Sequence, residues 1–272
     1  MQIIAVDIGN SAIKLLAGED HLCLPHRSAE SPADFADALE NYVASVDGSA
    51  PFLWAVVSVD DVRSQQLADW IKQNRGDDRF ELITRPEVPL DIVDSYRSTV
   101  GLDRLVAAYA AVSLQESDTP LIIVDAGTAV TIDVVSDDSA DGKRRFEGGV
   151  IFPGVAAGLS VLNSATAHLP DVALSSARLG ESDSIDGIVG TETNMAIANG
   201  VCLSQAHAVA GIVVALENRL DEADVWITGG GAEGILELLD DEVAYEWIAD
   251  HNLVLRGAAA IGQQILSSEN AD

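Results

Sequence analysis

One internal repeat restricts the fold of this chain more than any other feature. Residues 3–18, IIAVDIGNSAIKLLAG, and residues 121–136, LIIVDAGTAVTIDVVS, each run as an apolar strand, then Asp-x-Gly followed by Asn or Thr, then a second apolar strand. Asp7 and Asp125 stand 118 positions apart. That is too far for a solenoid, whose period is roughly 20–50 residues, and suits a duplicated lobe. Each acid closes a strand otherwise fit for a core, where a carboxylate without a partner is costly. What each one holds is the question the repeat poses.

Around the repeat the pattern is mixed α/β. SPADFADALENYVASV has Ser31 as N-cap and Pro32 at the first helical position, with Phe35, Leu39, Tyr42, Val43 and Val46 on one face, so it reads as a helix. FLWAVVSV reads as a buried strand, DDVRSQQLADWIKQN as a helix, FELI as a short strand and DRLVAAYAAVSLQ as a further helix. The polar stretch ESDTP, residues 116–120, is closed by a proline and marks a boundary. The expected lobes are therefore residues 1–118 and 119–272. The second continues through RRFEGGVIFPG, a helix at VAAGLSVLNSA and a long helical run over residues 193–220. DVWITGGGAEG reads as strand, glycine turn and helix, and LVLRGAAAIGQQIL as strand then helix. Gly200 and Gly211 in the long run let another helix approach, either inside the core or across a subunit interface.

Composition removes several functional classes. The chain has 272 residues, with 44 Asp and Glu against 15 Lys and Arg, a formal charge of −29. Such a charge repels a nucleic-acid backbone or an anionic membrane, so neither partner is expected. Cys23 and Cys202 have no ligand or disulfide spacing. No basic-then-apolar leader opens the sequence and no unbroken apolar run nears about 18 residues. The expectation is a soluble cytoplasmic protein.

The first turn, DIGNSAIK, combines Gly9, which admits a close ligand, with the donors Asn10 and Ser11 and the nearby Lys14. Asp7 beside a phosphate requires a cation between them. An isolated D-x-G-N is explained as well by a plain hairpin turn. The second copy, with Asp125, Gly127 and Thr128, strengthens the phosphate reading. TGGG, residues 228–231, offers side-chain-free backbone to a base or ribose, or is a plain turn. In GLDR, residues 101–104, Asp103 is either the N-cap of the following helix or a base. Arg104 in a first helical turn opposes the helix dipole, which points to an anionic ligand.

In order and approximate spacing, DIGNS, GLDR, DAGTAVTID, GGVIFPG and TGGG resemble the type III pantothenate kinase family, within the superfamily of acetate and sugar kinases, heat-shock chaperones and actin. The resemblance implies two similar actin-like, ribonuclease H-like α/β lobes with a nucleotide cleft between them. It implies ATP-dependent phosphorylation of pantothenate, the first step of coenzyme A biosynthesis, with Asp103 as proton acceptor. Asp7, Ile8, Gly9, Asn10, Ser11, Lys14 and Thr128 would bind ATP with Mg2+, and Asp125 a monovalent cation, K+ or NH4+. Tyr96, Gly101, Leu102, Asp103, Arg104 and Thr193 would bind pantothenate, and the long helix would build a homodimer. Thr193 is otherwise a helix cap, and His168 a structural or solvated residue. A kinase of another small hydroxy acid or sugar, or a non-catalytic relative, are the alternatives.

Overall fold

The computed structural model describes residues 1–26, 31–46, 51–137, 144–176, 188–239 and 246–269. The chain divides into two compact units. The first comprises Met1–Asp118, Asp137–Phe146 and Asn252–Asp272, the second Thr119–Ser136 and Glu147–His251.

In the first unit, β1 (Gln2–Ile8), β2 (Ala12–Ala17) and β3 (Asp20–Pro25) form an antiparallel meander. β4 (Phe52–Ser58) and β5 (Arg79–Leu82) continue the sheet in parallel on the other side of β1, giving the order β3-β2-β1-β4-β5. Residues 3–6 of β1 are apolar without a break because both faces of the strand are covered, as central strands of such a sheet require. Ile4, Val6 and Ile8 pack with Phe35, Leu39 and Tyr42 of α1 (Pro32–Ser45) and with Leu67, Trp70 and Ile71 of α2 (Asp61–Asn74). Ser31 caps α1, its hydroxyl accepting the Asp34 N–H. The opposite face receives α7 (Leu253–Glu269), which also packs on α3 (Leu102–Leu114).

Two details differ from the sequence reading. LVLR opens no strand: Leu253, Val254 and Leu255 are the buried first turn of α7, begun by the Arg256 N–H bond to the Asn252 carbonyl. And α7 belongs to the first unit, whereas a cut at 118/119 puts it in the second. Small residues seat it there. A Cβ at Gly257 would lie 2.3 Å from the Val106 carbonyl oxygen, and one at Gly262 would lie 3.0 Å from Ala55 and 3.5 Å from Ile3.

The second unit repeats the topology. β7 (Leu121–Ala126) pairs antiparallel with β8 (Ala129–Ser136), and β10 (Asp224–Thr228) and β11 (Trp247–Ala249) extend the sheet in parallel from β7. With β9 (Arg145–Pro153) the order β9-β8-β7-β10-β11 matches β3-β2-β1-β4-β5 strand for strand. The start of β9, Arg145 and Phe146, lies in the first unit, paired with β6 (Asp91–Ile92). α4 (Val155–Ala165), α5 (Thr193–Leu220) and α6 (Ala232–Leu239) complete the unit. Ala206, Val209 and Val213 of α5 pack on Ile122, Val124 and Val225.

α5 is, among the described residues, the one helix long and apolar enough by length and composition to cross a membrane, although Asn199, Ser204, Gln205 and His207 interrupt its apolar residues and nearly half of it is buried inside the protein. A Cβ at Gly158 of α4 would lie 3.0 Å from the Val201 side chain of α5, while nothing lies within 4 Å of a Cβ at Gly200 or Gly211. The contact role inside the core thus falls to Gly158, and the two α5 glycines face outward.

Candidate active site

The site residues of the first unit collect at the C-terminal end of β1. The turn after it is closed by the Gly9 N–H bond to the Ala12 carbonyl, 3.1 Å. Asn10 and Ser11 are exposed. Ile8 is in the core, so only its main chain can meet a ligand. A Cβ at Gly9 would meet no atom closer than 3.6 Å, so nothing inside the fold demands glycine there. Asp7 faces Lys14 in register across β1 and β2. Its pKa is pushed up from 3.8 to about 6, first by desolvation, then, against the lowering effect of Lys14, by the negative charge of Asp103. Two carboxylates from β1 and the start of α3 therefore act on one another, an arrangement that a divalent cation relieves.

At that helix start the N-cap is Gly101, and Asp103 is already the second helical residue, which overturns the capping alternative for Asp103. Its Oδ1 accepts the Arg104 N–H at 2.9 Å, and a Cβ on Gly101 would fall 2.5 Å from that oxygen. Arg104 is 8% exposed. Its guanidinium donates to the Tyr96 hydroxyl, 2.6 Å, and lies over the Tyr96 and Phe146 rings at 5.4 and 5.7 Å. That aromatic setting offsets the unfavourable helix position. Gly101, Leu102, Asp103, Arg104 and Tyr96 thus form one cluster; Phe146 carried no sequence signal beyond its aromaticity.

The second turn is not a copy of the first. β7 and β8 pair Ala126 with Val130, while β1 and β2 pair Ile8 with Ile13, so the second loop is one residue shorter. Asp125 faces Thr131 on β8 and the buried Thr228 on β10, where Asp7 faces a lysine. A carboxylate among hydroxyl and carbonyl oxygens is a donor set for a hard cation. Gly229, at φ +90°, lies against it: a Cβ there would be 2.4 Å from Asp125 Oδ1 and 2.7 Å from the Ala126 carbonyl. Gly231 donates to that carbonyl at 2.8 Å. Two of the three glycines thus wrap Asp125 and Ala126, and only Gly230 has open space about it. Among the described residues no group of three or more His, Cys, Asp or Glu forms a ready metal cluster.

Sequence reasoning missed the clamp on this turn. The Gly154 N–H bonds the Thr128 carbonyl at 3.0 Å, and Gln205 of α5 donates to the Pro153 carbonyl. The last glycine of GGVIFPG was the available signal, since glycine allows two backbones to approach closely. The buried Asp133, which accepts from Thr131 at 3.3 Å, was also unread. Thr193 is exposed and opens α5, with Glu192, not Thr193, at the cap position. His168, whose role the sequence left open, is exposed.

A profile of type III pantothenate kinases matches residues 3–215. The chain belongs to this family. The type III pantothenate kinase of Caulobacter vibrioides is 31% identical over 63% of this chain and 60% of its own length. That of Synechococcus elongatus is 30% identical over 89% and 86%. The chain spans about 60% of the length of the Caulobacter relative and of the type III pantothenate kinase of Sulfurihydrogenibium sp., which is 33% identical over 60% of this chain. Among solved structures, a glucokinase from Streptomyces griseus is similar at TM-score 0.52 and 14% identity over 97% of this chain and 100% of that one. An archaeal actin homologue is similar at 0.52 and 8% over the same shares. At such identities the likeness concerns the fold, which is α/β with actin-like lobes.

Proposed function

We propose that the protein transfers the γ-phosphoryl group of ATP to the primary hydroxyl of pantothenate, giving 4′-phosphopantothenate at the start of coenzyme A biosynthesis. The observation that carries this reading, within a family of that name, is that Asp103 at its helix start lies within electrostatic reach of Asp7 in the first unit. Asp103 accepts the hydroxyl proton as that oxygen attacks the γ-phosphorus and ADP departs. Asn10, Ser11, Lys14 and the Ile8–Gly9 main chain hold phosphate oxygens, with Thr128 doing so from the second turn. Arg104 and Tyr96, with Gly101, Leu102 and Thr193, orient the substrate and its carboxylate.

The acids fit cations. Mg2+, placed by Asp7, would neutralise charge on the phosphates, and a K+ or NH4+ ion would sit at Asp125 among Thr131, Thr228 and the Ala126 carbonyl. The working form is a cytoplasmic homodimer joined through α5.

The purified protein is expected to form 4′-phosphopantothenate from pantothenate and Mg-ATP, read by mass spectrometry. At constant ionic strength, replacing K+ by Na+ should depress turnover. Phosphorylation of a sugar or another hydroxy acid in place of pantothenate would overturn the substrate; equal rates in both salts would overturn the ion at Asp125.

A further inference from the structure

We propose that His26 is a positioning residue for the phosphate turn Gly9–Ser11, aiming a main-chain donor at the bound nucleotide. The inference rests on the reading of that turn as phosphate-binding.

His26 follows the last residue of β3 and grips the turn at two points. Its main-chain N–H donates to the Ser11 carbonyl at 2.9 Å, and its ring Nε2 lies 2.9 Å from the Gly9 carbonyl oxygen. A carbonyl oxygen only accepts, so Nε2 carries the hydrogen. The other ring nitrogen, Nδ1, is buried and has no hydrogen-bond partner among the described residues. Among the described residues, the Gly9 contact is thus the ring's one hydrogen bond. The β2–β3 hairpin does not need that contact, since its ladder runs through six registered pairs from Ala12 and Pro25 to Ala17 and Asp20. Gly9 lies outside all of these strands, and the fold leaves room around it. Hydrogen bonds rather than packing define the turn.

Peptide geometry gives the grip its consequence. In a trans peptide the carbonyl of one residue and the N–H of the next point in opposite directions. Holding the Gly9 carbonyl against the imidazole thus turns the Asn10 N–H to the other side of that plane. A donor fixed in direction before binding acts on an anion without paying for reorientation. The turn then offers an oriented amide where Asn10 and Ser11 are exposed.

The test compares His26→Ala with His26→Gln, whose side-chain amide can reach as Nε2 does. Binding of a non-hydrolysable ATP analogue with Mg2+ is measured by calorimetry, with steady-state kinetics alongside. Loss of one such bond should weaken nucleotide binding by about three- to tenfold in His26→Ala. KM for ATP should rise by the same factor while KM for pantothenate and the melting transition are retained, and His26→Gln should recover most of the loss. Unchanged affinity in His26→Ala, a Gln variant no better than Ala, or a variant whose melting transition is lost would each overturn the positioning role. A parent protein that phosphorylates nothing and binds no nucleotide would overturn the phosphate reading of the turn, and with it this proposal.

Discussion

Asp103 and Asp7 differ in what a single-atom change would reveal. At Asp103 the carboxylate accepts a main-chain N–H from Arg104, and an asparagine oxygen can do the same, so Asp103→Asn should keep the helix start intact. It cannot take up a proton. Turnover should fall by about 10²–10⁴-fold with an unchanged melting temperature; unaltered turnover would leave Asp103 as a helix-start acceptor only. Asp7 makes a stability prediction. Its folded-state pKa of about 6 lies above the ordinary 3.8, so between these values the folded form binds more protons than the unfolded one. Stability is therefore lost as pH rises from about 4 through 6, by at most about 3 kcal/mol. Without Mg2+ and nucleotide, Asp7→Asn should melt higher than the parent at pH 8, with the two curves converging near pH 4. Parallel curves across that range would show that burial does not burden Asp7.

At the scale of elements, the second turn depends on the segment that joins β9 to α4. A Cβ at Gly154 would lie 2.2 Å from the Gly127 carbonyl oxygen and 2.8 Å from that of Thr128, both backbone atoms with little room to yield. Gly154→Ala should therefore cost about 1–3 kcal/mol of stability and displace the turn. Gly230→Ala, where nothing lies within 4 Å, should stay within about 0.5 kcal/mol. Denaturant unfolding of the two variants separates them, and equal midpoints would mean that the clamp relaxes without strain. Gln205 links the same segment to α5, so a change in that helix has a direct mechanical route to Thr128.

For the whole molecule, α5 carries the remaining question. Val214 is 44% exposed on it, and Gly200 and Gly211 have open surroundings. That outward face, which also carries Ser204 and His207, has little side-chain bulk at its two glycines and suits a second copy of the same helix. Light scattering should give twice 28.6 kDa for the active species. A fully active monomer would remove α5 from the assembly and leave Thr193 to act within its own chain.

The duplication was legible in the sequence because it is written in local pattern. Two apolar strands around Asp-x-Gly occur twice, and each strand needs only its neighbours to be recognised. The ordered motifs likewise carried the family, and the spacing of GLDR placed an acid and an arginine together. Other features depend on which distant segments come together, a matter of tertiary packing. Gly257 and Gly262 seat α7 on the first unit, a choice that local periodicity does not express. The first turn is one residue longer than the second, and register alone sets Lys14 opposite Asp7 but Thr131 opposite Asp125. His26 and Phe146 enter the site from positions 17 residues from Gly9 and 42 from Arg104. Sequence spacing fixes neither approach; the pleat of the sheet and the close packing of its helices do.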